Sequence, residues 1–110
     1  MIIIGEKING SIPAVADAIA RRDGEFIKER ARMQDEAGAT YIDCCASVPE
    51  EEEAETLKWM IDCIQEVSDL PISVDSPSAE VLAQVFPYCK RPGLINLFPV
   101  REIRWTYCFL

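Results

Sequence analysis

Five oxygen-bearing side chains stand where short apolar runs give way to polar sequence. Asp75 closes Ile72-Ser73-Val74 between two prolines, Pro71 and Pro77, which admit the chain to a β-type run and force it out again. Asp43 closes Thr40-Tyr41-Ile42, and Asn96 closes Leu94-Ile95. Glu6 and Asn9 follow Ile2-Ile3-Ile4, which Gly5 ends, and sit in a polar loop to Gly10. Each has a bland alternative. Asp43 and Asp75 can serve as helix N-caps, and Glu6 and Asn9 as solvated loop residues. Four such groups at successive strand ends are more than capping requires.

Ionised carboxylates only accept hydrogen bonds, so such a rim suits a neutral heterocycle rich in N–H donors rather than a phosphate. The amino and ring N–H groups of a pterin can give a carboxylate two parallel bonds. No glycine-rich phosphate cradle is present. The chain has no histidine, which removes histidine catalysis and histidine-ligated metals. Adjacent Cys44 and Cys45 raise a rival chemistry, a zinc-thiolate methyltransferase. It would need Asp43 or a distant cysteine as a further ligand. The bland reading is two small, partly buried thiols.

The elements that must position these groups alternate. A first strand, Ile2–Ile4, leads to a helix from Pro13 with Val15, Ala16, Ile19 and Ala20 at helical spacing. Asp23 caps a second helix that Gly38 stops. Strand two, 40–42, precedes a helix whose front is loaded by Glu50 to Glu53, where the dipole favours anions. Its buried stripe is Leu57, Met60, Ile61, Ile64 and Val67. Strand three is 72–74, a helix runs from Ala79 to Phe86, and strand four is 94–95. The order β-α-α-β-α-β-α-β builds a parallel sheet, so the strand ends gather on one rim. In a β/α barrel that rim carries the chemistry.

At 110 residues the chain is long enough for one small domain, and 49% apolar composition argues against disorder. A net charge of -8 argues against a phosphate-backbone partner, which needs a clustered basic face. The basic cluster Arg21, Arg22, Lys28, Arg30, Arg32 is interleaved with acids and reads as a solvated helix face. No apolar run approaches a membrane span, and no signal peptide is visible, so the five cysteines fit cytoplasmic thiols.

The motifs Met-Ile-Ile-Ile-Gly-Glu-Lys-Ile-Asn-Gly (1–10), Tyr-Ile-Asp-Cys-Cys-Ala-Ser (41–47), Ser-Val-Asp-Ser-Pro (73–77) and Gly-Leu-Ile-Asn (93–96) occur in order. Together they resemble corrinoid-dependent methyltetrahydrofolate methyltransferases, pterin-binding barrels related to dihydropteroate synthase. The resemblance covers Met1 to Asn96 and is nearest the glycine betaine-linked branch, since many relatives carry Asn where Cys45 stands. It implies that Asp75 and Asn96 hydrogen-bond the pterin ring, that Asp43 lies on the same floor, and that Glu6 and Asn9 line the mouth. The catalytic residue is left open. The implied reaction is SN2 methyl transfer between N5 of tetrahydrofolate and the cobalt of a corrinoid (cobalamin) carried by a partner protein. A full-length relative is expected to be a homodimer.

The expected fold is therefore α/β, the first half of a (β/α)8 TIM barrel, with 1–96 as the barrel part and 97–110 as an atypical tail. A closed barrel needs eight strands and about 250 residues. An open half exposes an edge and an inner face, so the isolated chain is expected to dimerise, aggregate or be marginally stable. Relatives continue Ile-Asn with a small polar turn such as Ser-Val-Ser. Inserting one nucleotide before permissible codons for residues 97–100 restores Ser-Val-Ser-Gly, so the tail reads as a frameshift after Asn96. An inactive truncated fragment is the competing reading of the whole chain.

Overall fold

The computed structural model describes residues 4–97 and 105–108, excluding the side chains of Ile4, Glu6, Asn96, Leu97 and 105–108. Its elements are β1 (Ile4–Asn9), α1 (Pro13–Arg21), α2 (Gly24–Glu36), β2 (Tyr41–Cys45), α3 (Glu50–Val67), β3 (Ile72–Ser76), α4 (Ala79–Val85), a 3-10 turn (Phe86–Tyr88), β4 (Gly93–Leu97) and β5 (Trp105–Cys108). Strands β1 to β4 lie side by side in sequence order and are parallel. That is the arrangement expected of a partial barrel, with every crossover made by helix.

The helices form where the apolar spacing places them. Pro13 opens α1, and Asp23 caps α2 by accepting from the Phe26 N–H at 3.3 Å. Gly38 follows α2 with a positive φ of 91°, a conformation that glycine adopts without strain. The buried stripe of α3 includes Leu57, Met60, Ile61 and Ile64, and α4 buries Val81, Leu82 and Val85. These pack with Ile42, Cys44, Ile72 and Val74 in one core. Alternate strand residues therefore face the helices, and their neighbours face the opposite, inner side.

Charge is spread as ion pairs over the helix surfaces: Arg21 with Asp17, Lys28 with Glu25 and Glu66, Arg32 with Glu29. Arg22 and Arg30 instead lie over the rings of Trp59 and Phe26. The basic cluster is a solvated face, as its interleaving predicts.

Three departures from the sequence reading bear on the site, beside smaller ones in β3, which runs to Ser76, and β4, which spans Gly93–Leu97. The first strand runs to Asn9, so Glu6 and Asn9 belong to β1 and not to a loop; residues 2 and 3 lie outside the described part. The strand survives its polar residues because it pairs with β2 on either side of them, at Ile4 and Gly5 and again at Ile8 and Asn9, with a register shift between. There the Lys7 N–H donates to the buried Gln34 side chain at 3.2 Å, which keeps a backbone donor satisfied. The second strand runs to Cys45, so Asp43 sits inside β2. Small thiols at 44 and 45 continue a buried strand as well as valine would.

The third departure is at the tail. β5 pairs antiparallel with β4, Asn96 opposite Trp105 and Gly93 opposite Cys108. The β4 edge, expected to be bare, carries this added strand.

Candidate functional site

Register brings the polar residues into rows. Asn9 pairs with Cys45, Cys45 with Asp75, and Asp75 with Asn96. Residues 21 or more apart in sequence thus form one row across four strands, near their C-terminal ends. One level below, Asp43 pairs with Ser73. Side chains two apart on a strand share a face, so Asp43, Cys45, Ser73 and Asp75 stand together on the inner face. None of the four belongs to the helix-side core.

All of them are buried: Asp43 is 5% exposed, Ser73 0% and Asp75 9%. A buried carboxylate costs free energy unless it is paired or hydrogen-bonded, so these positions are specified by more than apolar packing. The capping alternative fails for both acids. Ser78 caps α4, its side chain accepting from the Val81 N–H at 3.3 Å. Pro49 starts α3 with no side-chain cap, and Asp43 is mid-strand.

Of the predicted residues, Asp75 and Asn9 reach the rim row, Asn96 shares that row by backbone register, and Asp43 lies one level beneath. The side chains of Glu6 and Asn96 lie outside the described residues. The Asn9 carboxamide turns back to its own loop, accepting from the Ser11 N–H at 2.9 Å and from Ser47 Oγ at 3.4 Å. It thereby ties the β1 loop to the β2 loop. Gly10 completes that junction by donating to the Cys45 carbonyl at 2.8 Å. A Cβ at Gly10 would run into the Ala46 carbonyl, so only glycine permits this approach.

The adjacent cysteines do not form a metal site together. Cys44 points into the helix-side core and Cys45 to the inner face, as strand alternation demands. Among the described residues, no group of three or more cysteine, aspartate or glutamate side chains could hold a metal ion. Burial, with the nearby Asp43 charge, pushes the Cys44 thiol well above its usual range. Burial also raises Cys45, against the lowering effect of its contact with Ser47 Oγ at 3.6 Å. Both are thiols at neutral pH.

Two residues near β3 escape motif reading. Ser73 shares the face of Asp75, and simple alternation from Asp75 points to it. Glu53, read as one of four dipole-favoured acids, is only 2% exposed. It packs behind Ser76, and burial raises its pKa against the lowering effect of the Ser76 hydrogen bond, with Glu50 adding a smaller upward push. Nothing in the run Glu50–Glu53 distinguishes the buried acid; the direction in which α3 packs does.

Comparison with known proteins gives the site a context. The chain is 57% identical over 96 residues to a methylcorrinoid:tetrahydrofolate methyltransferase of Eubacterium limosum. The matched segment is thus similar to part of that methyltransferase. It makes up 87% of the chain and 35% of the relative, so the chain spans about a third of the relative's length. No protein-family model matches. Among the described residues, no helix is long and apolar enough to cross a membrane.

Proposed function

We propose that this chain carries the pterin-binding part of a methyltransferase that moves a methyl group between N5 of tetrahydrofolate and a corrinoid held by a separate protein. One observation carries the reading: buried Asp75 is in backbone register with Asn9, Cys45 and Asn96, and with Asp43 and Ser73 one level below it lies on the sheet face away from the helices. The 57% identity to a methyltransferase of that chemistry supports it.

The donor set fits the ligand. Asp75 accepts from two N–H groups of the pterin, and Asn96, beside it in register, contributes a group that both donates and accepts. Asp43 extends the acceptor floor, while Asn9 and Glu6 belong to the mouth. The corrinoid, when its carrier docks, supplies a nucleophilic cobalt; this chain positions the pterin and shapes its hydrogen bonding. With one strand for each group, the chain is half of a pocket. The remaining wall, and the group that polarises N5, belong to sequence beyond the matched segment. The system is of the glycine betaine-linked type, as Cys45 in the motif suggests, and works in the cytoplasm.

β5 (Trp105–Cys108) pairs antiparallel with β4 where a barrel would place its next parallel strand, which supports reading the tail, 97–110, as foreign to the barrel. Sequencing the coding DNA beyond Asn96 tests this, and the absence of further βα units in every frame would count against it.

The binding test is calorimetric titration of tetrahydrofolate into the chain and its Asp75→Asn variant. Asp75→Asn is expected to weaken binding at least tenfold, since it removes a charge-assisted pair worth about 1.5–3 kcal/mol per bond. Equal affinity in the two proteins refutes the reading.

A further inference from the structure

Buried polar atoms in folded proteins are almost always hydrogen-bonded, so an exception asks for an explanation. Among the described residues, Ser73 Oγ is such an exception: the residue is 0% exposed and the hydroxyl has no partner. Packing does not require the hydroxyl. Alanine would fill nearly the same volume without a buried polar atom, and Ile72 and Val74 on either side are apolar. Ser73 differs from them in facing the side of the sheet where Asp43 and Asp75 stand. It is directly beside Asp43 in register and two residues before Asp75 on the same face, about 6.6 Å along the strand.

We infer that Ser73 is a ligand-contacting residue of the pterin floor, its hydroxyl donating to the ring carbonyl that adjoins the N–H groups taken by Asp75. The inference rests on the pterin-site reading and adds a residue and a role to it. The chemistry calls for such a group. A pterin presents a carbonyl oxygen beside its ring N–H and amino donors, and an ionised carboxylate offers that oxygen nothing. Carboxylates accept; Ser73 is the described inner-face residue beside Asp43 and Asp75 with a hydroxyl to donate. Because the Ser73 hydroxyl itself is shielded from water in the free chain, a bond formed there is not shared with solvent, and it is strengthened accordingly. An unmet donor in the free protein is the usual cost of a site built for its ligand.

The test uses the 110-residue chain with two probes, tetrahydrofolate and 6-methyltetrahydropterin, which lacks the benzoylglutamate tail. Affinity is measured by calorimetry, and stability of the free chain by thermal unfolding. Ser73→Ala is expected to weaken both probes by about five- to tenfold. The unfolding midpoint of the free chain should stay the same or rise, because an unmet polar atom has been removed. Ser73→Thr keeps a hydroxyl and should bind within about threefold of the parent. Loss of stability in Ser73→Ala with affinity retained, or failure of that variant to fold, assigns Ser73 a structural role and overturns the inference. An equal loss in Ser73→Thr does so too, since volume and not the hydroxyl would then matter. If Asp75→Asn loses binding while Ser73→Ala does not, only the Ser73 assignment falls. If the parent chain binds neither probe, or Asp75→Asn binds as well as the parent, the pterin-site reading falls and takes this inference with it.

Discussion

The two faces of the same strands answer to different demands. On the helix side Ile42, Cys44, Ile72 and Val74 interlock with α1 to α4 in one apolar core. On the inner side their immediate neighbours are Asp43, Cys45, Ser73 and Asp75, equally buried yet mostly polar. Burial alone cannot explain both. The helix face is what hydrophobic packing selects; the inner face retains groups that packing would discard. A buried surface that stays polar departs from what packing alone selects, as functional sites do.

Truncation across β2 should break this contrast most visibly. Ile42→Ala removes fully buried atoms from the core and is expected to lower stability by about 2–5 kcal/mol, read as a fall in the urea midpoint. A loss below about 1 kcal/mol would mean that the helix face is not close-packed. Gly93→Ala probes how tightly the strands themselves approach. Its Cβ would press on the Ile72 carbonyl, a backbone atom that cannot swing aside, so about 1–3 kcal/mol should be lost. Neutral behaviour in the same titration would show that the β3–β4 spacing can relax.

On the inner face, Asp43→Asn keeps the shape of its residue and should change stability by less than about 1 kcal/mol while weakening tetrahydrofolate. The weakening should be smaller than for Asp75→Asn, since Asp43 lies a level below the rim row. A larger loss at Asp43 would move the centre of the floor down the strands.

Glu53 supplies a pH test of burial. Its folded carboxyl holds a proton to higher pH than in the unfolded chain, chiefly because it is buried. The folded state therefore binds more protons between the ordinary carboxylate range and the raised value, and stability falls as pH rises through that window. Above the window the loss is complete. Glu53→Gln should flatten this part of the stability–pH curve and be more stable than the parent at neutral pH. An unchanged slope would place the titration elsewhere. The smallest effect belongs to the surface: Arg21→Ala breaks an exposed pair with Asp17 and should shift stability by no more than about 0.5 kcal/mol.

Much of this was legible in the chain. Pro71 and Pro77 frame β3, Asp23 and Gly38 frame α2, and the apolar spacing of α3 and α4 marks their inward faces. Asp75 and Asn96 were placed near strand ends because turn-forming residues follow or precede them closely. The extent of β1 is hidden in the sequence because Gly5, Glu6 and Lys7 are poor strand residues by themselves; pairing with β2 on either side and the Gln34 contact at Lys7 hold the stretch extended. In β2 an acid inside the strand has the same local signature as one at its terminus. β5 was unforeseen, since an antiparallel edge strand needs only an open edge to pair with.

By itself the sequence determined the alternation of elements and, through period-two patterning, which residues of one strand share a face. It could not determine the register between strands, because pairing depends on helices that set each strand's height against the next. Only the tertiary structure decided that Asn9, Cys45, Asp75 and Asn96 form one row, and that Asp43 and Ser73 stand beneath it. The same packing chose Glu53 from four consecutive glutamates as the one to bury.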